Sequence, residues 1–313
     1  MNTAYASLLT AVAPAFVVIA CGFALRRLGK LQPAADASLL TLAVNFLYPC
    51  FIADAVLGNR ELRDIGNVVI APIAGAALLA CSFGIAALVA RAMRLQRPHP
   101  ARTFTFTAAI PNWGYLPVPL VQAIFPASTT GVLFVHNIGF ELVLWSLGVW
   151  LLAGEGSWRR VFNIPFFAIL AALVLNLFHA ADWLPAFVLS SLHFLGQGAV
   201  PLSLLLTGAM LADSVAAGSL TQNPVRTLAG CVVKLGILPP LIILAARWLP
   251  CSLDLKRVLV VQAAMPCAMV PVVLTRLYSA DSATAVRLVL TTTILGLLTI
   301  PLWLRIGAHI VGL

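Results

Sequence analysis

The sequence predicts an all-α integral membrane protein. It predicts ten transmembrane helices forming two inverted five-helix repeats, with broken crossover helices in spans 4 and 9. Three observations carry this. First, the chain has 313 residues, of which 61% are hydrophobic and only 9% charged; a soluble domain carries roughly 25% charged residues. Second, ten apolar runs are long enough to cross a bilayer, which takes about 20 residues in a helix. Third, two stretches half a chain apart nearly repeat each other: AAIPNWGYLPVPLVQAIF from Ala108 to Phe125, and AAMPCAMVPVVLTRLY from Ala263 to Tyr278.

The runs follow in order. Tyr5–Leu25 has no basic region ahead of it, so it does not read as a cleaved signal peptide. Ala37–Leu57 carries Asn45 four residues before Pro49, and Asn67–Ala90 follows. Thr103–Phe125 contains the first break, with Pro111, Pro117 and Pro119. Gly131–Ala153 carries Asn137 and Glu141 and closes the first repeat, residues 1–153. A short polar linker, 154–163 (GEGSWRRVFN), leads to the second repeat, 164–313. Its runs are Val161–His179, Phe187–Leu211, Val225–Trp248, Arg257–Tyr278 and Ala285–Ile306. Gln197 stands four residues before Pro201, as Asn45 does before Pro49, and Pro266 and Pro271 break the ninth run. Five spans per half is an odd number, which inverts the second half relative to the first.

Proline lacks a backbone N–H and clashes with the preceding turn. In lipid, each freed backbone group costs several kcal/mol unless it is buried in protein or faces water. A break that occurs twice, at the same span of each half, therefore reads as a site. Paired interrupted segments are the sequence pointer to the substrate site of a secondary transporter.

Charge gives an orientation. Alternate connections carry 12 Lys and Arg (Arg26, Arg27, Lys30, Arg91, Arg94, Arg97, Arg102, Arg159, Arg160, Arg226, Arg276 and Arg287). The opposite connections carry 6 (Arg60, Arg63, Arg247, Lys256, Arg257 and Arg305). The richer side is expected in the cytoplasm of a bacterial inner membrane, with both termini outside. The net charge of +9 is read as this topological signal rather than as affinity for nucleic acid. The six cysteines show no paired spacing and read as small buried residues, neither disulfides nor metal ligands. HExxH, GxSxG, GxxxxGK and CxxC are absent from the sequence, so no enzyme activity, cofactor or metal is expected.

Asn112 follows Pro111 inside the first break. Its amide can donate to a carboxylate, beside half-helix amino termini whose partial positive charge favours an anion; the alternative is a cap that repairs the broken helix. Cys267 takes the equivalent place in the second break. Glu141 lies at mid-membrane, where a charged carboxylate costs at least about 2.5 kcal/mol. It reads as a proton carrier or gate, or as a structural carboxyl, with Asn137 one turn away on the same face. Lys234 lies about two turns into the eighth run, where its stem could snorkel outward. Asn45, Tyr48 and Gln197 are expected on the facing side of a cavity, and Gln262 just ahead of the second break.

VVQAAMPCAMVPVVL, with its Thr-rich last span, resembles the auxin efflux carrier family, which includes the plant auxin exporters and malonate-transporter-like bacterial carriers. IPNWGYLPVPL resembles that family's fourth span, GAVPLSLLLTGAMLA its seventh and VKLGILPPL its eighth. The resemblance implies an inverted-repeat fold in which spans 3–5 and 8–10 form a moving transport domain and the rest a scaffold. It implies an inward role for Lys234, tying the transport domain together or pairing with Glu141. It also implies an organic anion as substrate. Where the plant exporters place a carboxylate-holding Asn, this chain has Pro165. The expectation is a secondary transporter of a small organic anion (a carboxylate), working by alternating access and exporting its substrate. Sodium- or proton-coupled uptake and a non-transporting ligand sensor are the alternatives. The expected partners are the bilayer, the anion, a coupling proton or sodium ion, and a second copy in a homodimer.

Overall fold

The computed structural model describes residues 5–95, 99–154, 156–216 and 223–313. Arg97 of the basic connection and Glu155 of the linker lie outside the described residues. In chain order the helices are α1 (Tyr5–Arg27), α2 (Pro33–Val56) and α3 (Ile65–Ala92), then a short pair, α4 (His99–Ala109) and α5 (Pro117–Ile124), then α6 (Ser128–Ala153). The 14-residue α7 (Ile164–Leu177), α8 (Ala186–Ala216) and α9 (Pro224–Trp248) follow. A second short pair, α10 (Leu253–Ala264) and α11 (Val270–Leu277), precedes α12 (Ser282–Val311). Seven of these, α1, α2, α3, α6, α8, α9 and α12, are long and apolar enough to cross a membrane. Large apolar side chains such as Phe187, Phe194 and Trp248 point outward, as lipid requires. The chain is an integral membrane protein.

The helix ends follow local chemistry. Asp64 accepts from Gly66 N–H at the start of α3, Asn163 from Phe166 N–H at the start of α7, and Asp281 from Thr284 N–H at the start of α12. Each removes one orphan donor. Three helices widen to a π-turn, at Ala43–Leu47 in α2, Leu144–Gly148 in α6 and Val232–Ile237 in α9. In α2 and α9 proline follows within a turn, and its missing donor leaves a carbonyl free. Trp303 Nε1 of α12 donates to the freed Leu235 carbonyl at 2.8 Å. In α6 the Trp145 carbonyl instead accepts from Ser157 N–H of the linker at 2.9 Å.

Two sets of helices pack. In one, α1 lies on α8, and α2 on both α8 and α7; in the other, α3, α6, α9 and α12 pack around the two short pairs, and α1 on α12 and α2 on α6 join the sets. Small residues let backbones touch where helices cross in lipid. A Cβ on Gly139 of α6 would collide with the Pro72 carbonyl of α3 and lie 2.6 Å from Ala76 N. A Cβ on Gly208 of α8 would collide with the Ile19 carbonyl of α1 and lie 2.8 Å from Phe23 N. All six cysteines are free, but Cys21 and Cys81 are exposed on the outer faces of α1 and α3. This corrects the expectation that the cysteines are buried: in lipid a thiol needs no burial, because it is a small apolar group there.

Candidate functional site

Between α4 and α5, and between α10 and α11, the chain runs extended, and the two extended segments cross. Pro111 faces Cys267 in an antiparallel bridge. Asn112 N–H donates to Pro266 O at 2.8 Å, and Ala268 N–H donates to Ile110 O at 3.1 Å. Each break thus satisfies backbone groups that the other leaves free, which is what non-helical backbone at membrane depth needs. Pro117 and Pro119 open α5, and Pro271 is the second residue of α11; there the missing N–H costs nothing. Both short helices therefore begin at the crossing, and their positive ends face it.

Side chains complete the crossing. Lys234 Nζ is buried and donates to Ala109 O, at the carboxyl end of α4, at 3.1 Å. Thr292 Oγ1 accepts from Cys267 N–H at 3.1 Å. The Trp113 carbonyl accepts from Asn137 Nδ2 at 2.8 Å and from Gln262 Nε2 at 3.3 Å, and Gln262 Nε2 also donates to Asn137 Oδ1 at 3.2 Å. Asn112 Oδ1 accepts from Leu116 N–H at 3.4 Å.

A cavity of about 270 Å³ opens beside the crossing. Asn112, Trp113 and Tyr115 form one wall, Asn137, Glu141 and Trp145 of α6 a second, and Tyr48 and Ile52 of α2 with Pro165 and Phe166 of α7 the side facing them. Met269 and Val270 bring the start of α11 to its edge. Its lining residues include neither Lys nor Arg. Glu141 Oε2 accepts from Trp145 Nε1 at 2.7 Å and from Asn163 Nδ2 at 3.5 Å. The Tyr48 hydroxyl is buried without a hydrogen-bond partner. Near Trp145, the Arg160 guanidinium lies 5.6 Å from that ring and 5.8 Å from the Tyr278 ring. Tyr48, Phe51, Tyr115 and Phe134 meet edge-on, with Phe51 and Phe134 centroids 5.4 Å apart. Beyond this aromatic cluster lies a groove of about 630 Å³ that includes Phe51, Asp54, Gln122 and Thr130.

The structure brings Asn112, Tyr48, Asn137 and Glu141 to one cavity. Gln262 and Cys267 lie behind its wall, buried in the crossing. Two expected residues are not there. Asn45 is exposed, because the inward face of α2 is set by Val44, Tyr48 and Ile52 at four-residue spacing and Asn45 falls about 100° off it. Gln197 is also exposed; it contacts His193, which in turn contacts Asp54 at 3.0 Å. Of the two inward roles weighed for Lys234, the structure has it bond the α4 carboxyl end rather than Glu141. Asn137 bonds the Trp113 carbonyl and Gln262, leaving Glu141 to Trp145 and Asn163.

Three contributors were missed by the sequence reading. Trp145 stands four residues after Glu141, a helical neighbour spacing that could have flagged it. Asn163 before Ile-Pro carries an N-cap signature. Thr292 could not be told from its neighbours Thr291 and Thr293. Among the described residues, His, Cys, Asp and Glu form no cluster able to hold a metal ion.

The membrane transport protein family matches residues 7–157 and 148–304. An uncharacterized transporter of Methanothermobacter thermautotrophicus is 29% identical over 300 residues, which span 92% of this chain and 94% of that protein.

Proposed function

The chain belongs to the membrane transport protein family, the auxin efflux carriers, and from that premise we propose that it is a secondary carrier exporting a small organic anion by alternating access. The observation that carries this is the crossing itself. Two half-helix amino termini and the Asn112 amide border a cavity whose other polar lining residues are Asn137, Glu141 and Asn163, with apolar and aromatic side chains around them. A carboxylate fits the polar edge, and an apolar body fits Trp113, Phe134 and Phe166. The cavity is near the small end of ligand sites, roughly 300–1,000 Å³, which favours a small substrate.

In this reading the two broken pairs and α7 complete ten spans, arranged as two inverted repeats. The set around the crossing moves against the set built on α1, α2, α7 and α8. The basic ends face the cytoplasm of a bacterial inner membrane and both termini lie outside. The cavity reaches Asn163 and Pro165 beside the linker, so the conformation is open inward, with the Tyr48–Phe51–Tyr115–Phe134 cluster closing the outer route. The test is a thermal-unfolding screen of purified protein against monocarboxylates, dicarboxylates, keto acids and indole acids, followed by counterflow in vesicles. A ligand stabilises by RT ln(1 + [L]/Kd), so at a hundred times Kd the expected gain is about 2.7 kcal/mol. Stabilisation without saturable counterflow would identify a sensor; stabilisation by none of these acids would remove the organic-anion assignment.

Glu141 favours a second reading, coupling to a proton. A carboxylate there and a substrate carboxylate share one small cavity. At an effective dielectric of about 20, two like charges roughly 6 Å apart cost about 3 kcal/mol. Protonation of Glu141 removes that cost, so anion and proton would enter together. Export of a monovalent anion needs no such coupling, because the membrane potential supplies about 2.3 kcal/mol per charge per 100 mV; uptake does need it. Under this hypothesis Glu141→Gln abolishes the pH dependence of transport and leaves substrate affinity within about threefold. Wild-type flux that follows potential alone, with no response to pH, would assign Glu141 to structure and the protein to uncoupled export.

A further inference from the structure

We propose that the basic end of the bundle carries a binding site for the headgroup of an anionic phospholipid, separate from the transport cavity. A pocket of about 830 Å³ lies where α3, α4 and α6 end or begin. Arg91 closes α3, Arg94 follows it, and Arg102 stands in the first turns of α4; all three line the pocket, and among the described residues no carboxylate does. Among the described residues none of the three arginines is in an ion pair. Ala101, Arg102 and Thr105 bring the first two turns of the 11-residue α4 to the same space.

The backbone holds this arrangement at a cost. Arg94 sits at φ 52°, a left-handed conformation that glycine adopts more cheaply. Its N–H donates to Arg91 O at 3.0 Å, and Leu95 N–H donates to Ala90 O at 3.1 Å, closing the end of α3. The chain thus carries a guanidinium where a glycine would cap the helix with less strain.

Charge and position together select a lipid phosphodiester over a free anion. The pocket lies at the level where apolar helices give way to basic ends, which is the depth of a headgroup. Trp150 in its wall is 54% exposed, and Leu88, one turn before Arg91, is 68% exposed. Acyl chains can lie on these side chains while the phosphate meets the arginines. Basic pockets between helix ends are the usual geometry for anionic headgroups. The site rests on the pocket alone; only its assignment to the cytoplasmic leaflet rests on the proposed orientation.

The test is native mass spectrometry of the delipidated full-length protein, titrated with phosphatidylglycerol, with phosphatidylcholine, and with phosphatidylglycerol in the presence of inorganic phosphate. The wild type is expected to bind phosphatidylglycerol at least tenfold more tightly than phosphatidylcholine. Each arginine near the headgroup contributes about fivefold. The triple variant Arg91→Gln, Arg94→Gln, Arg102→Gln is therefore expected to lose roughly a hundredfold, with the thermal unfolding it shows in phosphatidylcholine unchanged. The triple Lys variant should keep most of the affinity, and Arg276→Gln all of it. Should the triple Gln variant not fold, Arg94→Gly, which relieves the left-handed backbone, carries the test with an expected loss of about fivefold. Equal affinity for the two lipids, or wild-type affinity in the Gln variants, would overturn the proposal. Displacement of phosphatidylglycerol by millimolar phosphate would overturn it too, in favour of a small-anion site.

Discussion

Gly139→Val is expected to leave no stably folded protein. Gly139 lies where α6 crosses α3, and a Cβ there would meet the Pro72 carbonyl and Ala76 N. Those are backbone atoms, so no rotamer change relieves the clash. The two helices must separate along their contact or shift in register. Overpacking costs about 1–3 kcal/mol where side chains can yield, and more where they cannot; separation also forfeits the close contacts that drive association in lipid. The expected outcome is loss of the monodisperse peak in detergent and of cooperative thermal unfolding. Gly208→Val, which meets the Ile19 carbonyl and Phe23 N of α1, should behave alike. Gly84→Ala, whose Cβ would meet nothing within 4 Å, is the control and should unfold like the wild type or slightly later. Wild-type unfolding of Gly139→Val would show that the α3–α6 crossing tolerates separation.

That contact was not legible in the sequence, whereas the breaks were. Pro111 and Pro266 announce themselves because proline has one backbone consequence wherever it falls in a helix, and its repetition half a chain later marks the pair. A glycine in an apolar run carries no such mark: Gly84 and Gly139 read alike, and only the partner helix distinguishes them. Seven of the expected spans appear as long apolar helices, with boundaries shifted by a few residues, because hydropathy records the bilayer. Which face of a helix turns inward is decided by packing. Asn45 illustrates this, since in α2 both faces are apolar and a lone amide does not say which way it points. Asn137 and Glu141 were correctly placed on a common face by their four-residue spacing, but spacing cannot choose between two acceptors. The Trp113 carbonyl, which takes Asn137 away from Glu141, exists as a free acceptor only because the chain is extended there.

Asn112→Ala is expected to weaken substrate binding by more than tenfold. Asn112 stands at the crossing, its Oδ1 accepting from Leu116 N–H at 3.4 Å and its side chain lining the cavity. With the oxygen turned to the helix, Nδ2 is the edge left to donate to an anion. A hydrogen bond to a charged ligand contributes about 1.5–3 kcal/mol, and 1.4 kcal/mol is a factor of ten. The alanine variant also loses the acceptor for Leu116 N–H, a long bond worth about 0.5 kcal/mol, the low end for a hydrogen bond. The two roles separate with a second substitution. In Asn112→Asp the carboxylate still accepts from Leu116 N–H, so that bond survives, but it cannot donate and it repels an anion. The substrate hypothesis therefore expects Asn112→Asp to unfold close to the wild type and to bind at least as poorly as Asn112→Ala. If Asn112 only repairs the broken helix, the order reverses: the alanine variant unfolds early, the aspartate variant does not, and both bind the substrate identified by the thermal screen with wild-type affinity. Isothermal titration of the three proteins with that substrate, beside their unfolding curves in the same detergent, distinguishes the outcomes.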